Sequence, residues 1–116
     1  MKHLQLFENF EDIESICRRY RITNYTINPD GTVDVDGNVD LGAEPSLLIS
    51  KRLPIKFGKV SGNFSCSDNQ LTSLDGSPTT VGGHFYCSNN LLTTLEGGPK
   101  EVGGNFFCSH NLLTSL

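Results

Sequence analysis

The sequence predicts a mainly β solenoid: a short stack of parallel-strand coils capped at its N-terminus by an α-helix and a β-hairpin. Three observations carry this. Phe64, Phe85 and Phe106 stand 21 residues apart, as do Cys66, Cys87 and Cys108, and Asn69, Asn90 and Asn111. A constant step of this size makes each unit one coil resting on its neighbour. Before the repeats, a helical periodicity gives way to strand composition around a Pro-Asp-Gly turn. Apolar content is 36%, low for a ball-shaped core but sufficient for a thin continuous column.

Residues 1–36 do not repeat and form the predicted cap. Phe10, Ile13, Ile16, Cys17 and Tyr20 recur at helical spacing and mark one apolar face. Asn9 suits the N-cap, with Asp12 at the N3 position of a capping box. Acids in the first turns (Glu11, Asp12, Glu14) and Arg18-Arg19 in the last complement the helix dipole. Ile22 to Ile27 has strand composition. Asn28-Pro29-Asp30-Gly31 is a turn, because Pro29 presets φ and Gly31 tolerates a positive one. Thr32 to Asp36 alternates with period two and closes the hairpin. An open solenoid end exposes core and strand edges, so a cap is expected there.

The predicted solenoid covers residues 37–116. A degenerate first coil occupies 37–59: Gly37-Asn38-Val39-Asp40-Leu41 repeats the pattern of Gly62-Asn63-Phe64-Ser65-Cys66, but 25 residues earlier. The extra length is assigned to irregular turn material in Gly42–Leu53, where Ala43-Glu44-Pro45 and Leu53-Pro54 break regular structure. Regular coils follow at 60–80, 81–101 and 102–116. In each, Gly-x-Phe-x-Cys reads as a short strand with Phe and Cys inward. Ser-x-Asn-x-Leu-Thr-x-Leu is a turn and return stretch with both leucines inward. The Gly- and Pro-rich remainder leaves no room for an α-helix, so the opposite side should be extended or 3₁₀-like.

Phe64-x-Cys66-x-x-Asn69-x-Leu71 and its two copies resemble the leucine-rich-repeat core L-x-L-x-x-N-x-L, with Phe and Cys replacing two leucines. The short step, with Pro78 and Pro99, resembles the bacterial subclass of these repeats. The helix, the Asp-Gly hairpin and the Val-Gly-Gly-Asn-Phe coil are also similar to repeat proteins of bacteriophages and bacterial mobile elements. The likeness is strong over about half the chain. It implies a parallel-strand solenoid with a binding role, a bacterial host protein as partner, and no chemistry.

Composition excludes several classes. Net charge is −4, whereas a nucleic-acid binder shows a basic stripe; here the bases come in small groups such as Arg18-Arg19 and Lys51-Arg52. No apolar run reaches the ~18 residues of a membrane span, and acids follow Met1 too soon for a signal peptide, so the expectation is a cytoplasmic protein.

Each side-chain ladder has a plain structural reading. Three cysteines at the repeat step, without a CxxC pair, read as small apolar filler and not as zinc ligands. Equivalent residues lie about 4.8 Å apart with parallel Cβ vectors, which fits a disulfide poorly. The asparagines read as inward groups that bond turn backbone. Ser67, Ser88 and Ser109 lack a base to activate them. His84 and His110 occupy different repeat positions, and a thin solenoid offers little concavity for catalysis. The Gly-Gly steps at 82–83 and 103–104 are not phosphate loops, since no helix follows. No catalytic residue, metal ligand or cofactor is therefore expected, and the chain reads as a non-enzyme.

The outward strand positions vary while the inward ones barely change. They run Asp40, Ser65, Tyr86 and Phe107, flanked by Asn38, Asn63, His84 and Asn105. Outward aromatics anchor interfaces, so Asp40, Asn63, Ser65, His84, Tyr86, Asn105 and Phe107 are the candidate partner-binding residues. The expected function is a binding module that occupies, and thereby inhibits, a bacterial host protein such as a defence component. The alternative is self-assembly into a homodimer through the C-terminal edge, Phe106 to Leu116. A small-molecule pocket near Lys51, Arg52, Lys56 and Lys59 is a further alternative.

Overall fold

A residue that recurs every 21 positions can stay inside only if the chain returns to the same place after each step, and it does. In the computed structural model, which describes residues 13–114, the chain winds into stacked coils that carry two parallel ladders of short strands. Helix α1 is described over residues 13–19. Strands β1 (Tyr25–Ile27), β2 (Val33–Val35) and β3 (Val39–Asp40) follow, then helix α2 (Pro45–Ser50) and β4 (Phe57–Val60). The regular coils supply β5 (Phe64–Ser65), β6 (Thr80–Val81), β7 (Phe85–Tyr86), β8 (Glu101–Val102) and β9 (Phe106–Phe107). Extents of 40 × 28 × 22 Å make a short stack. The proposed caps Asn9 and Asp12, with Phe10, lie outside the described residues.

Each coil contributes one strand to each ladder. One sheet has the order β1-β2-β4-β6-β8 and the other β3-β5-β7-β9. All pairings are parallel except β1 with β2, the hairpin. The hairpin turn forms as its residues dictate. Gly31 takes φ +87°, and Asn28 N–H donates to the Thr32 carbonyl at 2.8 Å. Asp30 accepts both the N–H and the hydroxyl of Thr32, which holds its carboxyl below the usual value. Strand β2 does more than close the hairpin. It pairs in parallel with β4, so the cap continues directly into the first sheet.

The inward positions form columns. Val35, Val60 and Val81 stack beneath one sheet; Val39, Phe64 and Phe85 beneath the other, with Leu41, Cys66 and Cys87 beside them, all buried. Phe64 and Phe85 lie parallel with ring centroids 5.6 Å apart. The return stretch buries Leu71, Leu74 and Leu92. Cys17, Tyr20 and Ile22 join the same cluster and fasten the cap to it.

Two glycines make the corner between the sheets possible. A Cβ on Gly82 would overlap the Ser61 carbonyl of the coil beneath, and one on Gly83 would overlap the Asn63 side chain. Backbones approach there too closely for any other residue.

One expectation is overturned. The stretch Gly42–Leu53, expected to be irregular, contains α2. Pro45 stands in its first turn, where a fixed φ is preorganised for helix and a missing N–H costs nothing. Lys51 ends it with φ 59°, its N–H donating to the Leu47 carbonyl. The residues beyond the 21-residue step thus make a helical turn that buries Leu47.

Candidate functional site

The outward positions of β3, β5, β7 and β9 lie in direct register: Asp40 beside Ser65, Ser65 beside Tyr86, Tyr86 beside Phe107. The fold thus brings the four central predicted residues onto one face. Asp40 and Phe107 are exposed; Ser65 and Tyr86 are half-buried. The Tyr86 and Phe107 rings are parallel to within 6°, with centroids 4.9 Å apart. That separation matches the strand spacing, so the rings stack along the solenoid. His84 lies at their side, 6.0 Å from Tyr86 and 6.1 Å from Phe107. Phe107 remains 40% exposed.

The flanking row has a second task. Asn63 N–H donates to Asn38 Oδ1, His84 N–H to Asn63 Oδ1, and Asn105 N–H to His84 Nδ1, each at 2.8 Å. The first three side chains of the row each accept the backbone N–H of the next coil. His84 Nδ1 thus takes the place of an asparagine oxygen in the row. Asn105 ends the row exposed. Asn63 and His84 thus border the face while part of their bonding serves the stack, which the sequence did not disclose.

A shallow concavity of about 340 Å³ opens on this face, lined by Asn38, Val39, Asp40, Asn63, Ser65 and Tyr86. Asp40 is oriented by the Gly42 N–H, which donates to its Oδ1 at 3.0 Å. A larger groove of about 500 Å³ lies on the other sheet, between the hairpin and the first regular coil. Asp34, Asp36 and Lys59 line it, but Asp34 already accepts the Lys59 N–H and Asp36 accepts the Ser61 hydroxyl. The period-two alternation of Asp34 and Asp36 was its only trace in the sequence. Of the four basic residues considered for a small-molecule pocket, Lys59 lines this groove, while Lys51, Arg52 and Lys56 are exposed.

The inward ladders are structural. Asn69 Nδ2 donates to the carbonyls of Leu41 (2.6 Å) and Cys66 (3.1 Å), and its Oδ1 accepts the Glu44 N–H. Asn90 repeats this, accepting from Asn69 and Leu71 N–H and donating to the Cys66 and Cys87 carbonyls. Asn111 does so again with Leu92 N–H and the Cys87 and Cys108 carbonyls. Cys17, Cys66, Cys87 and Cys108 are free thiols. Burial, aided by Cys108 nearby, pushes the Cys87 thiol up to about 12, and burial raises Cys66 too. Such thiols stay protonated and are poor nucleophiles. Among the described residues no group of three or more His, Cys, Asp or Glu side chains is placed to hold a metal.

His110 occupies a left-handed turn position with φ 56°, shared with Asp68 and Asn89. It belongs to the turn that precedes each inward asparagine. Among the described residues no helix is long and apolar enough to cross a membrane. Comparison with protein-family models, curated proteins and solved structures finds no match.

Proposed function

We propose that this chain is a non-catalytic protein-binding module whose contact surface is the outward face of β3, β5, β7 and β9. The observation that carries the reading is the stacked Tyr86–Phe107 pair, set on a strand ladder with Phe107 open to solvent and Tyr86 half-buried. Rigid aromatics lose little side-chain entropy on binding, and a preformed ladder loses little backbone entropy. The resemblance to repeat proteins of phages and mobile elements supports a bacterial host protein in the cytoplasm as partner, inhibited by occupancy alone.

Replacing both rings, Tyr86→Ser with Phe107→Ser, tests this. Neither ring belongs to the inward column, so the variant folds, and its capture of partner from a bacterial lysate falls to background. Undiminished capture overturns the reading.

A second reading has one observation in its favour. In the last coil the inward-column residue Phe106 is 36% exposed, and among the described residues no strand covers β8 or β9. Pairing with a second copy through this end would bury both. Light scattering decides: a mass independent of concentration and equal to 12.7 kDa removes self-assembly.

A further inference from the structure

The contact face is not uniform along the stack. Its successive central positions carry a carboxylate, a hydroxymethyl group and two rings, at Asp40, Ser65, Tyr86 and Phe107. Phe107 covers one face of the Tyr86 ring, since the two lie parallel. The other face turns toward Ser65, which is too small to cover it. Asp40 and Tyr86 stand two strand spacings apart, about 9.6 Å along the ladder. Between them lies the slot of about 340 Å³, with Ser65 beneath, the Tyr86 ring as one wall and Asp40 as the other.

Both walls attract the same kind of group. Asp40 has its carboxylate oriented by the Gly42 N–H and forms no ion pair among the described residues; the ion pair present joins Arg21 to Glu44 elsewhere. An aromatic face also attracts cations, through the negative centre of its quadrupole. The slot therefore favours positive charge from two sides, and the aromatic wall offers a flat surface to a planar cation. A guanidinium can lie on the ring while its N–H edge donates to a carboxylate. An ammonium makes one of these contacts well, not both.

We infer that the slot above Ser65 is the docking site for an arginine side chain of a partner protein, with the guanidinium laid on Tyr86 and donating to Asp40. This rests on the reading of the face as a protein contact, and it adds what the partner must bring.

The test is an amide-resolved NMR titration with N-acetyl-arginine methylamide as probe. The corresponding citrulline compound, which keeps the shape without the charge, and the lysine compound serve as comparisons. Saturable shifts centred on residues 40, 63–65 and 86 are expected with the arginine compound, weaker ones with lysine, and none with citrulline. Asp40→Asn should weaken the arginine compound about tenfold, the size of a lost charge-assisted contact. Ser65→Phe continues the ring stack over Tyr86, fills the slot and abolishes the shifts. Its amide dispersion reports folding independently, and Asp40→Asn decides should it unfold. Equal response to citrulline, no saturable response, or a response unchanged in Asp40→Asn overturns the inference. Loss of partner capture in the Tyr86→Ser/Phe107→Ser variant alongside unchanged arginine binding in Asp40→Asn removes the slot and leaves the face. Capture that survives in the ring variant removes the face itself.

Discussion

Asn90 sits in an apolar interior with every polar atom satisfied. Its oxygen takes two backbone N–H groups and its amide serves carbonyls on two coils. Asn90→Ala should destabilise by about 1–3 kcal/mol, the cost of buried polar groups left unpaired, as read by chemical denaturation. An unchanged midpoint would mean that water replaces the side chain. Ala43 is the opposite case. It occupies the turn position that Asp68, Asn89 and His110 hold in later coils, with φ 53°, yet has no polar atom to favour that conformation. Ala43→Asn should stabilise, by up to about 1 kcal/mol, because the left-handed region strains alanine more than asparagine. The buried thiols add a pH dependence. Cys87 remains protonated to about 12 in the folded state, against an ordinary 9.0. Unfolded chains release that proton first, so the contribution is full below pH 9 and is lost as pH rises toward 12. This thiol should cost up to about 1.4 kcal/mol per pH unit across that window. Cys87→Ala should flatten the alkaline slope in a denaturation series.

At the scale of elements, the strands are two to four residues long and none would persist alone. What holds them is the ladder above and below, so the corner that lets coils approach is decisive. Gly82→Ala should destabilise by about 1–3 kcal/mol, the usual cost of forcing a methyl into occupied space. The overlap is with backbone, the Ser61 carbonyl, which cannot rotate away. A thermal melt within error of the parent would show that the coils can separate there. The helix α2 belongs at this scale too. Pro45 was legible as a turn breaker, and it does break the strand pattern. Whether it opens a loop or a helical first turn depends on what Leu47 can reach, and Leu47 reaches the core.

Over the whole molecule, coils contact mainly their neighbours, and stability accumulates by stacking. The rings of Tyr86 and Phe107 lie apart from that column. Their double replacement with serine should therefore leave the melting midpoint nearly unmoved while it removes partner capture. The columns at Phe64 and Phe85 should behave in reverse: Phe85→Ala costs about 3–5 kcal/mol through lost burial and the cavity left behind. Comparing the two variants by calorimetry and capture separates packing from recognition on strands that share the same residues' backbone.

The sequence by itself determined the coil, its step and which side of Gly-x-Phe-x-Cys faces inward. Strict repetition and alternation of side chains leave no other consistent packing. It also placed Asp40, Ser65, Tyr86 and Phe107 on one face, since each holds the same position in its coil's Gly-x-x-x-x pattern. Only the tertiary structure decided the rest. The sheet of β4, β6 and β8, the continuation of β2 into it and the helix in the longer coil depend on pairings across 21 to 25 residues that no local pattern encodes. The double duty of Asn63 and His84 arises from a neighbouring coil's N–H, whose direction is a property of the stack. The slot beside Tyr86 likewise exists because a serine falls between a ring and a carboxylate once three coils are laid in register.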